Sequence, residues 1–237
     1  MTGPSAPVVV GGCGTSGGRA FAMVIQGLGV EMGGPAASTK RYHDRDNHMG
    51  LNRCGRAYLD LYKDPLDPPE MPNSMAALHG KRCHNKSRWG FKTEWALATL
   101  PLIYAAFPHL RIVHVVRNPR VWLSRVASTG EIAPPSWSNF ASWCRVNTLC
   151  ADYAEHTFPD RYLRIRFEDF CRDALQWVGT LAEFLEVGAE DSDLHRKLAG
   201  YISAPPDRGL GIYQDYKIPT PFRAVVERFG YDASDLT

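Results

Sequence analysis

Apolar residues along this chain fall into short unbroken runs that alternate with stretches of helical spacing. Pro7-Val8-Val9-Val10 contains no polar position and stops at Gly11-Gly12, the pattern of a strand covered on both faces. Residues 20–28 carry apolar side chains at helical spacing and end at Gly29, a suitable C-cap. Arg111-Ile112-Val113-His114-Val115-Val116 is the clearest strand, rich in β-branched residues, and Pro119 follows it where a helix would take its first turn. Residues 89–92 and 162–165 predict two further strands, each leading into a helical pattern. One long helix is predicted over 167–185, with Gly188 beyond its end. Strands alternating with helices predict an α/β fold around a parallel sheet.

Two segments lack this rhythm. Residues 35–88 hold Lys40, Arg41, Arg45, Arg53 and Arg56 and then Pro65, Pro68, Pro69 and Pro72. They read as an irregular excursion with some helix near 53–62. Residues 203–216, with Pro205, Pro206, Gly209 and Gly211, read as a late loop.

Composition narrows the class without changing this picture. The chain has 237 residues, 44% hydrophobic and 22% charged, which excludes disordered and fibrous proteins and suits one domain over 1–237. A formal charge of +2 predicts no nucleic-acid partner. No apolar run reaches the roughly 20 residues of a membrane span. Residues 1–7 lack the basic and apolar regions of a signal peptide, so a soluble cytoplasmic protein without a membrane partner is expected. The six cysteines form no Cys-x-x-Cys pair, and free thiols are expected. Cys83-His84 with His43 and His48 fits no zinc spacing, so no metal is expected.

The chemistry begins at Gly11-Gly12-Cys13-Gly14-Thr15-Ser16-Gly17-Gly18-Arg19. A glycine-rich loop between strand and helix lets a phosphate approach the backbone and meet the free N–H groups of the helix N-terminus. Three ligands compete for it. Gly12 and Gly17 have the separation of a Walker loop, but Gly18 and Arg19 replace its lysine and its magnesium-binding hydroxyl, which disfavours ATP or GTP turnover. Gly12-x-Gly14-x-x-Gly17 also fits the dinucleotide fingerprint, with Glu31 near the acidic position. The second strand it needs is stunted, however, since Val30-Glu31-Met32 runs into Gly33-Gly34-Pro35. A phosphosulfate is the third.

Residues 8–28 resemble the opening strand, loop and helix of the sulfotransferases that use 3′-phosphoadenosine 5′-phosphosulfate (PAPS). Their loop reads Arg/Lys-Ser-Gly-Thr-Thr. Ser16 and Gly17 match it, Thr15 stands where the basic residue is usual, and Arg19 offers a charge from the helix. Arg117-Asn118-Pro119-Arg120 is similar to the family's Arg-Asn/Asp-Pro-Arg/Lys, whose arginine and following serine bind the 3′-phosphate. The serine usually falls eight residues after the arginine, where this chain has Arg125; Ser124 lies one earlier and is the favoured equivalent. Lys92-Thr93-Glu94 resembles the family's Lys-Thr-His, with Glu94 in the slot of the general base. Residues 162–169 resemble the strand ending Arg-Tyr-Glu-Asp, with Phe167 near the adenine and Glu168 structural. Arg208-Gly209 resembles part of the Arg-Lys-Gly segment that closes on the 3′-phosphate.

The resemblance implies a three-layer α/β/α fold like that of the P-loop NTPases, with a central, mostly parallel sheet. It implies transfer of a sulfuryl group from PAPS to a hydroxyl or amine, giving 3′,5′-ADP without a metal. Glu94, Lys92 and Arg19 would be catalytic. Gly14, Thr15, Ser16, Gly17, Gly18, Arg19, Arg117, Ser124, Phe167, Arg208 and Gly209 would bind the donor. The acceptor would be a small molecule or a glycan, with residues 40–62 and 128–137 walling its pocket. A P-loop kinase or NTPase, a dinucleotide oxidoreductase and a non-catalytic nucleotide-binding protein remain as alternatives.

Overall fold

The computed structural model describes residues 6–32, 88–93, 96–128, 137–188, 190–202 and 218–231. The helix expected near 53–62, the late loop 203–216, and Glu94 lie outside the described residues. Strands β1 (Val8–Gly11), β2 (Gly90–Thr93), β3 (Arg111–Val116) and β4 (Tyr162–Arg166) form a parallel sheet in the order β2-β1-β3-β4. Helix α1 (Gly18–Gly27) follows β1, α2 (Leu100–Ala106) precedes β3, and α3 (Pro119–Ser128) and α4 (Trp137–Thr157) follow it. Beyond β4 come α5 (Phe167–Arg172), α6 (Ala174–Leu185), α7 (Ser192–Ala199) and α8 (Thr220–Arg228).

Alternation along the strands feeds two separate apolar layers, as the period of two requires. Val8 and Val10 of β1 face the same way as Val113, Val115 and Ile165, packing with Phe21 and Ile25 of α1 and Val178 and Leu181 of α6. Val9 and Ile112 face the other way, onto Leu100 and Ile103 of α2 and Cys150 and Ala154 of α4. Each such side chain, fully buried, contributes about 1.5–3 kcal/mol, so a register slip in β1 would misplace both layers at once. The three-layer α/β/α architecture expected above is the one observed.

One expectation changes. The single helix over 167–185 is two, broken at Asp173 (φ −131, ψ 63), whose carboxylate accepts a hydrogen bond from the Gln176 N–H at 3.3 Å. An aspartate that bonds the backbone ahead of it starts a helix more readily than it continues one. At the far end of α6, Arg111 Nη1 donates to the Phe184 carbonyl at 2.6 Å and Arg88 Nη1 to that of Leu185 at 3.2 Å. Cations there satisfy carbonyls that lack a partner in the helix. The segment Val30-Glu31-Met32 contributes only an isolated bridge, Glu31 to Trp89, on the outer side of β2. A dinucleotide fold would put the strand after α1 beside β1. Here β1 is flanked by β2 and β3, and that alternative loses its structural basis.

A buried polar chain joins the sheet to α4. His114, fully buried in β3, donates from Nε2–H to Asn147 Oδ1 at 2.8 Å and accepts at Nδ1 from the Tyr162 hydroxyl at 2.8 Å. Asn147 Nδ2 in turn donates to the Trp143 carbonyl at 2.7 Å. Burial pushes the His114 pKa down from 6.5 to about 4; the Asn147 bond opposes this and Arg164 reinforces it. The folded value lies below the unfolded one, so the unfolded chain binds the proton first. The stability held by neutral His114 is therefore complete above pH 6.5 and is lost as pH falls through about 4. Denaturant unfolding at pH 7 and 4.5 should show the wild type losing about 2 kcal/mol more than His114→Gln over that interval. Equal losses would remove His114 as the source.

Candidate functional site

The glycine loop leaves the carboxyl end of β1 next to the end of β3, the edge where parallel α/β sheets place ligands. At Gly12 an added Cβ would lie 2.8 Å from the Val115 carbonyl oxygen, so the chain leaves β1 pressed against β3. Residues 13–16 close a turn in which the Ser16 N–H donates to the Cys13 carbonyl at 2.9 Å. Thr15, its third residue, has φ 65. For a β-branched residue that left-handed conformation costs on the order of 1–3 kcal/mol. Gly17 follows at φ 95, and a Cβ there would fall 2.2 Å from the Phe167 ring.

Helix α1 starts at Gly18 with no side-chain cap at Gly17 and no acidic residue in its first turn. Its leading N–H groups and the positive end of its dipole therefore suit an anion. Lys92 of β2 passes close by, since a Cβ on Gly18 would lie 3.3 Å from its Cε. Arg19 is exposed on the first turn.

Beyond β3 the backbone turns at Asn118, whose Oδ1 accepts from the Arg120 N–H at 2.9 Å and starts α3. Glu168 fixes the same turn: Oε1 accepts from the Asn118 N–H at 2.9 Å and Oε2 from the Tyr231 hydroxyl at 2.9 Å. Arg117 is thereby held with only 3% of its surface exposed. Its Nη1 donates to the Thr15 carbonyl at 3.0 Å, and its guanidinium sits 4.5 Å from the centre of the Phe167 ring. Burial pushes its pKa down to about 10, and the neighbouring positive charge of Arg125 adds to this, while Glu168 opposes it. The group stays charged at neutral pH, in surroundings that favour an incoming negative charge.

Four polar atoms at this edge are buried and lack a hydrogen-bond partner among the described residues: Thr15 Oγ1, Ser16 Oγ, Ser124 Oγ and Arg117 Nε. A buried polar atom left unsatisfied costs about 1–3 kcal/mol, so this grouping calls for a ligand that accepts hydrogen bonds. Hydroxyls, a guanidinium and uncapped helix amides match phosphate oxygens in particular. Among the described residues no group of metal-ligating side chains occurs.

The structure gathers Gly14, Thr15, Ser16, Gly17, Gly18, Arg19, Lys92, Arg117, Ser124 and Phe167 around this edge. Glu94, Arg208 and Gly209 lie outside the described residues. Ser124 is buried whereas Arg125 is exposed. Phe167 packs on Gly17 and under Arg117. Sequence reasoning missed the supports. Trp122 Nε1 donates to the Gly14 carbonyl at 2.6 Å, and Asn147 Nδ2 donates to Cys13 Sγ at 3.4 Å. A tryptophan and an asparagine on helices carry no local sign of such contacts.

Residues 37–191 match the family model described as "Sulfotransferase family", a span of more than half the chain that begins after the glycine loop. Among solved structures, the sulfotransferase domain of the Synechococcus PCC 7002 olefin synthase aligns with a TM-score of 0.61 at 16% identity, covering 98% of this chain and 97% of that one. The sulfotransferase of Alicyclobacillus acidocaldarius aligns with a TM-score of 0.55 at 16% identity, covering 97% and 98%. A mouse sulfotransferase complexed with PAP gives 0.54 at 15% identity, covering 97% and 86%. At these identities the likeness is one of fold. No curated protein matches the chain.

Gly17 offers a direct test of the loop's packing. Gly17→Ala should destabilise the protein by at least about 1 kcal/mol, because alanine disfavours the positive φ and meets Phe167. Denaturant unfolding checks this, and an unchanged midpoint would show that the loop is not packed this way.

Proposed function

The chain belongs to the sulfotransferase family, and from that membership we propose that it transfers a sulfuryl group from PAPS to an acceptor hydroxyl or amine. The observation that carries the choice of donor is Arg117, a buried guanidinium bonded to the glycine loop and close to a second positive charge. One anion at the loop alone would suit many nucleotides. A second anion-seeking cluster beside it suits a nucleotide that also carries a 3′-phosphate.

In this reading the loop from Gly14 to Gly18, with the Ser16 hydroxyl and Arg19, holds the 5′-phosphosulfate end. Arg117 and Ser124 hold the 3′-phosphate, and Arg208 and Gly209 close over it as the family resemblance implies. Phe167 lies towards the adenine. The bound donor supplies the sulfuryl group, and breaking its S–O bond to the 5′-phosphate leaves 3′,5′-ADP. Glu94 takes the acceptor proton as general base. Lys92 and Arg19 stabilise the negative charge that grows on the 5′-phosphate, a preorganised electrostatic role that needs no metal. The acceptor is a small molecule or a glycan, met in the cytoplasm. Among the described residues no helix is long and apolar enough to cross a membrane.

Side-by-side thermal shifts with 3′,5′-ADP, ATP with magnesium, and NAD(P) test the donor, since a ligand of the native state raises its stability. Stabilisation by 3′,5′-ADP alone is expected; a response to ATP with magnesium alone would favour an NTPase. Arg117→Ala should weaken 3′,5′-ADP binding by about 1.5–3 kcal/mol, the worth of a charged hydrogen bond. Equal affinity would overturn the 3′-phosphate assignment. Glu94→Gln should lower turnover strongly while 3′,5′-ADP affinity stays near wild type. Wild-type turnover would exclude Glu94 as the base.

A further inference from the structure

Three successive residues of the glycine loop are held from outside by side chains that follow β3. Asn147 Nδ2 reaches Cys13 Sγ, Trp122 Nε1 reaches the Gly14 carbonyl at 2.6 Å, and Arg117 Nη1 reaches the Thr15 carbonyl at 3.0 Å. The two carbonyl bonds fall on the two peptide units that flank Thr15. Peptide units are planar, so fixing both fixes the φ and ψ between them. Thr15 is the residue that needs this, because its φ of 65 is a conformation a β-branched side chain does not keep unaided. In a trans peptide the N–H points opposite the carbonyl. Binding the Gly14 carbonyl to the indole therefore turns the Thr15 N–H away from α3.

We propose that Trp122 is a positioning residue of the donor site, whose indole N–H clamps the glycine loop in its strained, anion-binding conformation. This rests on the reading of the loop as the 5′-phosphosulfate site. Trp122 is buried among Val116, Leu123, Phe140 and Trp143, so its ring position is set by packing and its N–H arrives preorganised. Its helix also carries Ser124, and its partner in clamping Thr15 is Arg117. The loop and the 3′-phosphate groups thus share one support, and a disturbance of either is felt by the other.

The test separates the N–H from the ring. Trp122→Phe removes the donor, and β-(3-benzothienyl)alanine at position 122 removes it while keeping the shape, should the phenylalanine variant fold poorly. Calorimetry with 3′,5′-ADP should show both losing affinity about two- to twelvefold, the scale of one neutral hydrogen bond. In a Thr15→Gly background Trp122→Phe should cost much less affinity than it does in wild type, since glycine keeps a positive φ without a clamp. Additive effects of Trp122→Phe and Thr15→Gly, or wild-type affinity in the benzothienyl protein, would overturn the proposal. Amide exchange of the loop in the ligand-free protein decides independently. The benzothienyl protein should exchange residues 13–16 faster than wild type, and equal rates would overturn the clamp. If wild type binds no 3′,5′-ADP, the donor assignment fails while the exchange result still decides the role of Trp122.

Discussion

The parallel pairing of β1 with β3 is the constraint on which the rest depends. Its register sets Val8 against Arg111 and Gly11 against His114, so β3 runs two residues further than β1 before it turns. The glycine loop returns over that extension, with Gly12 against the Val115 carbonyl. Arg117 therefore emerges at the level of Thr15. Residues separated by a hundred positions become hydrogen-bonded partners because two strands end at the same edge. A shift of one residue would turn the apolar faces inside out and separate these groups together.

What the pairing gathers is locally unfavourable. A threonine takes a left-handed conformation, three hydroxyls and a guanidinium nitrogen are buried without protein partners among the described residues, and an arginine is partly stripped of water beside another. Such departures persist only where the surroundings over-determine them. Here the surroundings are specific: Trp122 and Asn147 hold the loop, and Glu168 with Tyr231 holds the Arg117 turn. The apolar layers on both faces of the sheet supply the stability that this edge forgoes. A local conflict amid consistent packing is characteristic of a functional site.

The supports also show how α4 serves the loop from a distance. His114 fixes the Asn147 amide by donating to its oxygen, which leaves the amide nitrogen for the Trp143 carbonyl and Cys13. That orientation requires a proton on His114 Nε2, and the Tyr162 hydroxyl donating to Nδ1 requires the ring to be neutral. A buried histidine with its pKa pushed down to about 4 keeps that state at neutral pH. Through Asn147 the sheet interior and the loop surface are wired by directional bonds, where apolar contact alone would permit small shifts.

Much of this was legible in the chain itself. Unbroken apolar runs marked β1 and β3, and the glycines after β1 and Arg117 after β3 stood out as candidates that the fold brings to one edge. These are short-range patterns, and periodicity or turn chemistry reports them directly. The break at Asp173 was missed because apolar spacing continues through it, and a side chain capping the next turn leaves no gap in that spacing. The start of α3, which sets where Ser124 and Arg125 stand, depends on the Asn118 cap and its bond to Glu168. The roles of Trp122, Asn147 and Tyr231 were invisible because each acts through a partner remote in sequence. By itself the sequence determined the alternation of strands and helices and the glycine loop as a candidate site between them, since both follow from local residue type and spacing. Only the tertiary structure decided which strand lies beside β1, which side chains are buried together, and what holds Thr15 in place. Those depend on long-range register and burial, which no local window contains.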